Sequence, residues 1–146
     1  MAGMHMDVDF SGLIRQLGDA ADSGLPAVKV GLYETAGKVA GAIRQEAGTL
    51  PYQASTVQQI QQAIGIAKFT DTADGSDTSI SVDGYFAESG FPIIFFAREV
   101  EHGTSWLQAN PFMRRGYNRA KAEAEAAGNR AAEQYIQRIL DNIKDT

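Results

Sequence analysis

The stretch FPIIFFAREVEHGTSWLQANPFMRRG, Phe91 to Gly116, decides how this chain is built. Its first part, Phe91 to Val100, is an apolar segment that follows the turn pair Ser89-Gly90. A short apolar run bounded by turn residues reads as a buried strand, with a short helix as the alternative at this length. The second part reads as an elbow. Gly103 lets the chain turn sharply, and the hydroxyls of Thr104 and Ser105 suit bonds to nearby backbone groups. Asn110-Pro111 is a helix start, because asparagine is among the best N-caps and proline is favoured at the first helical position. Trp106 or Leu107 is then placed to pack on Phe112 or Met113, fixing the angle at which the last helix enters.

Working outward, the segment before this stretch changes period. Ile64–Thr70 (IGIAKFT) and Thr78–Tyr85 (TSISVDGY) alternate apolar and polar residues, and the intervening Asp74-Gly75 is a hairpin signal. Upstream lie helical patterns. Phe10, Leu13, Ile14 and Leu17 share one helical face behind Ser11 as a cap, and Ser23-Gly24 stops that helix. Leu25, Val28, Leu32, Ala36, Val39, Ile43 and Ala47 step by three or four along a second, with Pro26 in its first turn. Gly31, Gly37 and Gly41 each cost that helix about 1 kcal/mol relative to alanine, which predicts close packing against another backbone. A short helix follows through TVQQIQQA, capped by Ser55 or Thr56. After the elbow, Met113, Tyr117, Ala120, Ala124, Ala127 and Ala131 make one stripe, continued by Tyr135, Ile136, Leu140 and Ile143.

The expected fold is therefore α+β: a small antiparallel sheet of about three to four strands packed against N-terminal helices and a long C-terminal helix. Residues 1–8 are expected as a flexible N-terminus and 9–146 as a single domain. The opening MAGMHMDVDF has neither the basic flank nor the apolar core of a signal peptide.

At 146 residues and 44% hydrophobic, the chain is long enough for one buried core. Its longest apolar run, Pro92–Ala97, is far shorter than the roughly 20 residues of a membrane span. No cysteine is present, which excludes disulfide and thiolate chemistry. The net charge of −5 argues against a dedicated duplex-DNA binder. That charge is uneven: seven acids stand against two bases from Pro51 to Phe112, and seven bases against five acids after it. Opposite local charges suit copies meeting head to tail, although solvated surface is the commoner reason for such runs.

Candidate chemistry is sparse. Glu101 and His102 would be a general-base pair, with Ser105 as nucleophile, but neighbours on a strand face opposite ways and no G-x-S-x-G elbow is present. Asp71, Asp74 and Asp77 are spaced by three, without the alternating ligands and closing glutamate of an EF-hand loop. No catalytic residue, metal ligand or cofactor is expected. Arg114-Arg115 at a helix start suits an acidic group, and Trp106 beside them has the composition of an interface anchor.

The E-x-G-T of Glu101, Gly103 and Thr104, followed by the P-F of Pro111 and Phe112 and a long helix, resembles the tail-completion or head–tail joining proteins of long-tailed bacteriophages and prophages. The order of helices, antiparallel region, motif and closing helix is similar over roughly Val8 to Ile143. Where such proteins carry a T-G pair before the sheet, this chain has LPYQASTVQQIQQAI. The resemblance implies a virion structural protein of the tail or neck, made in the host cytoplasm. It implies a ring, usually of six copies, that caps the tail tube and docks to the head connector or stopper proteins, with no enzymatic activity, membrane or specific nucleic acid. Glu101, Gly103, Thr104, Trp106, Asn110, Pro111, Phe112, Arg114 and Arg115 then become motif and interface residues, and Asp71, Asp74 and Asp77 candidates to line the channel. The alternative is a small regulatory or nucleic-acid-associated protein using Arg114, Arg115 and Arg119.

Overall fold

The computed structural model describes residues 6–7, 24–67, 70–72 and 75–144. The helix expected over Phe10–Ala21 lies outside them. In chain order the elements are β1 (Met6–Asp7), α1 (Gly24–Ala47), α2 (Ala54–Ala63), β2 (Ile64–Ile66), β3 (Thr70–Thr72), β4 (Gly75–Asp77), β5 (Ser79–Val82), α3 (Ile93–His102) and α4 (Phe112–Lys144). The class is α+β, with four helices among the described residues and a long C-terminal helix.

The sheet is smaller than expected. Its body is the antiparallel pair β2·β5, with Ile64 opposite Val82 and Ile66 opposite Ile80. The two-residue β1 flanks β5 on the other side, Met6 opposite Ile80, so residues 6–7 pair within the stretch expected to be loose. Beyond the pair the same hairpin continues as β3·β4, closing with Thr72 opposite Gly75. Between Ile66↔Ile80 and Thr70↔Asp77 the outgoing side uses one residue more than the returning side. All four residues of β5 are buried, as befits the middle strand.

The third strand expected over Phe91–Val100 is instead the helix α3. Its buried residues are Ile93, Ile94, Ala97, Val100 and Glu101, a period near 3.6 that a strand cannot satisfy. Gly90, with φ of 68°, and Pro92, extended at the N-cap, turn the chain into it. Loss of this strand is why the sheet falls short of the expected three to four full strands.

The core forms where α1, the hairpin and α3 meet the start of α4. Val39, Ile43, Ile60, Ile64, Ile80, Val82, Val100, Phe112 and Met113 are all essentially inaccessible there. A smaller cluster of Ala27, Val28, Leu32 and Ala132 joins the far ends of α1 and α4, which run antiparallel. The apolar stripe of α4 is therefore largely intramolecular core, although Leu140 is exposed.

Glycine does set the helix spacing, but at other positions than expected. A Cβ on Gly37 or Gly41 would meet nothing within 4 Å. On α4, a Cβ at Gly116 would lie 2.7 Å from the Cα of Ile43, and one at Gly128 would lie 2.7 Å from the carbonyl oxygen of Gly31 and collide with the Thr35 hydroxyl. Gly116 and Gly128 let α4 lie against α1 backbone to backbone. Of Gly31, Gly37 and Gly41 on α1, only Gly31 takes part.

Candidate interaction surface

The elbow between α3 and α4 is built around one buried carboxylate. Glu101, in the last turn of α3, is 8% exposed. Its two oxygens accept hydrogen bonds from the backbone N–H groups of Met113, at 2.9 Å, and Arg114, at 3.1 Å. The N–H of Arg115 donates to the Pro111 carbonyl, so Met113 and Arg114 hold the second and third helical positions, where N–H groups have no partner within the helix. A negative group there also meets the positive end of the peptide dipoles. The helix starts one residue later than the sequence predicts: Pro111 stands at the cap and Phe112 at the first helical position, and the acceptor that meets these amides is Glu101 from the preceding helix, not Asn110.

The loop between the helices is closed by its own backbone. Gly103 ends α3 with φ of 76° and donates its N–H to the Glu99 carbonyl at 2.7 Å. A Cβ here would also lie 2.8 Å from the Ala109 nitrogen, so conformation and space both require glycine. The Thr104 N–H donates to the Leu107 carbonyl at 2.8 Å, and the Thr104 hydroxyl accepts from the Leu107 N–H at 3.0 Å. Asn110 N–H returns to the Val100 carbonyl at 2.7 Å. Phe112 is fully buried, and Leu107 packs on the core beside it. Of the two residues expected at the entry to α4, Leu107 is the one that packs on the core, and Trp106 stands out, 79% exposed.

The arginines divide. Arg115 Nε lies 3.2 Å from Glu46 Oε2, and Arg119 Nη1 lies 3.0 Å from Glu46 Oε1. Arg119 also donates to the Ala42 carbonyl and to Gln45 Oε1. Both cations thus fasten the start of α4 to the last turns of α1. Arg114 is exposed, and its side chain has no ion pair among the described residues. His102 is exposed on α3 and Glu101 is engaged with α4, so the two do not form a pair. Asp71 lies opposite Ser76 and Asp77 opposite Thr70 in β3·β4, while Asp74 lies outside the described residues.

A second feature was not foreseen. Beside the N-terminal end of α3, the loop between β5 and α3 and the first turns of α2 bound an open groove of about 440 Å³. Its lining includes Gln53, Gln59, Phe86, Glu88, Phe91 and Phe96. The floor is fixed by edge-to-face ring contacts, Tyr52–Phe96 at 5.3 Å and Phe86–Phe96 at 5.5 Å between centroids. The wall is fixed by the Ala87 N–H donating to Gln59 Oε1 at 2.8 Å, and by Phe86 N–H to the Phe91 carbonyl at 2.9 Å. Phe91 and Phe95 remain more than two-fifths exposed at its edge, and Tyr85 stands out nearby in sequence. The sequence signal was present in the aromatic density of YFAESGFPIIFF, Tyr85 to Phe96, which strand periodicity explained away.

Among the described residues no group of three or more His, Asp or Glu side chains is arranged to hold a metal ion, and no helix is long and apolar enough to cross a membrane. Comparison with protein-family models, with curated proteins and with solved structures finds no match to this chain.

Proposed function

We propose that this chain is a virion structural subunit of the tail-completion or head–tail joining class, acting by ring assembly at the head-proximal end of a phage tail. One observation carries the reading: the Glu101 carboxylate bonds the first free amides of α4. In this setting the E-x-G-T and P-F residues act as a joint that aims a 33-residue helix. Gly103 and Thr104 shape the joint, and Asn110 and Pro111 lead into the helix that Phe112 begins. The outward groups left over, Trp106 and Arg114, are of the types enriched at protein interfaces. In the assembled particle the partners are further copies of this chain, the tail-tube protein and the head connector. Asp71, Asp74 and Asp77 are proposed to face the channel, where like charge keeps DNA from adhering. The nucleic-acid reading has less to draw on, since Arg115 and Arg119 are held by Glu46.

The test is disruption of the gene in the phage or prophage that carries it, with complementation by the intact chain. Negative-stain images should show filled heads and finished tails that are unjoined, and complementation should restore whole particles. Normal particles without the chain would refute the proposal.

A further inference from the structure

We infer that Trp106 of one copy seats in the groove beside Phe86, Phe91 and Phe96 of the next, so that the chain self-associates head to tail. The inference rests on the ring-assembly reading above only in that copies of the chain meet. Knob and hole both belong to this chain, yet they do not fill each other within it: the indole is 79% exposed and the groove is open. They sit toward opposite ends of α3, a helix of 10 residues and about 15 Å. The groove's volume of about 440 Å³ falls within the roughly 300–1,000 Å³ of sites that enclose a small organic group. Its rings offer faces and edges to an indole, and Gln53, Gln59 and Glu88 offer oxygen acceptors for the indole N–H, which needs a partner once buried.

Charge selects the same pairing. The segments that bound the groove, 53–59 and 83–91, carry Asp83 and Glu88 and no base. The outward face of the elbow from 102 to 114 carries Arg114 and no acid, because the carboxylate of the preceding Glu101 is buried against the α4 amides. Neither Glu88 nor Arg114 has an ion-pair partner among the described residues. Two elbows brought together would oppose like charges, and so would two grooves, whereas elbow on groove is complementary. A contact between two different patches is heterologous, and repetition of it closes into a ring or runs on as a filament.

Because the chain has one tryptophan and no cysteine, the contact can be read directly on the full-length protein. Trp106 emission should move to shorter wavelength with rising concentration, in step with association seen by sedimentation. Phe91→Ala should abolish the shift, and Trp106→Ala should weaken association about 30-fold or more. Ser55→Cys and Ser105→Cys, both at exposed positions, supply a geometric check with a short thiol-reactive linker. Chains carrying both should give a ladder of covalent oligomers; a mixture of the two single variants should stop at the heterodimer, and each alone should give none. Homodimers of Ser105→Cys would overturn the inference. Association with unshifted emission would also overturn it while leaving ring assembly by another face intact. A chain that stays monomeric at every accessible concentration overturns it too, and the particle experiment then decides the wider reading separately.

Discussion

Replacement of Glu101 by alanine tests the joint directly. The carboxylate is almost fully buried and accepts two backbone N–H groups, at 2.9 and 3.1 Å. Loss of a helix cap of this kind costs about 0.5–2 kcal/mol in ordinary settings. Here the acceptor is charged and sheltered, and each donor left unsatisfied adds about 1–3 kcal/mol where water cannot reach it. The site lies at the edge of the core, so partial water entry offsets some of that, and a net loss of about 2–4 kcal/mol follows. With about 4 °C per kcal/mol for a chain of this size, the midpoint of thermal unfolding should fall by about 8–16 °C. Circular dichroism at the helix band measures it, with His102→Ala as the control, since His102 is exposed one residue away on the same helix. Glu101→Gln should be milder, about 1–2 kcal/mol, because one acceptor survives without its charge. In hydrogen exchange, the Met113 and Arg114 amides should lose protection before the rest of α4. A stability of Glu101→Ala within about 0.5 kcal/mol of the parent would refute the reasoning, because ordinary surface changes fall in that range.

Gly128→Ala and Gly116→Ala should each cost about 3 kcal/mol in denaturant unfolding, since the new methyl would meet α1 backbone that cannot turn aside. Gly37→Ala and Gly41→Ala, facing open space, should instead stabilise α1 by about 0.5–1 kcal/mol each, and a loss at either would show that something lies against them. Glu46→Ala should cost about 1 kcal/mol and make unfolding less salt-dependent, a small value because Arg115 and Arg119 are 41% and 50% exposed.

What the sequence revealed was what short-range chemistry decides. The three-and-four spacing from Val28 to Ala47 fixes α1, the alternation around Asp74-Gly75 fixes the hairpin, and Asn110-Pro111 places the start of α4 to within one residue. FPIIFFAREV defeated the same approach for a physical reason: its first part, Phe91–Ala97, has no charged residue to mark a face, and an unbroken apolar run carries no period. Only the tertiary setting distinguishes its faces, and there Glu101 counts as an inward residue although it is charged, because its partners are amides 12 and 13 residues later. Helix glycines are ambiguous in a related way. Glycine within a helix signals close approach, but the signal does not say which helix supplies the gap; α4 does so at Gly116 and Gly128, while Gly37 and Gly41 face outward. Glu46, 69 residues before Arg115, has no local signature, and the aromatic density of Tyr85–Phe96 does not by itself show that its rings border a groove with the first turns of α2.

The joint also bears on what any assembly of this chain can look like. Glu101 ties the end of α3 to the start of α4, and hydrogen bonds from Gly103, Thr104 and Asn110 close the loop between them. Gly116, Gly128 and the Glu46 pairs hold α4 along α1. Trp106 and the groove are therefore carried on parts of one rigid body, at opposite ends of a single short helix. A heterologous contact between rigid bodies repeats with one fixed rotation, and whether that rotation divides a full turn decides between closed ring and open filament. Loosening the joint without touching either contact patch, as Glu101→Gln does, should then broaden the distribution of oligomer sizes more than it weakens the pairwise association. A uniform weakening with no change in the size distribution would mean that the angle set by Glu101 plays no part in closure.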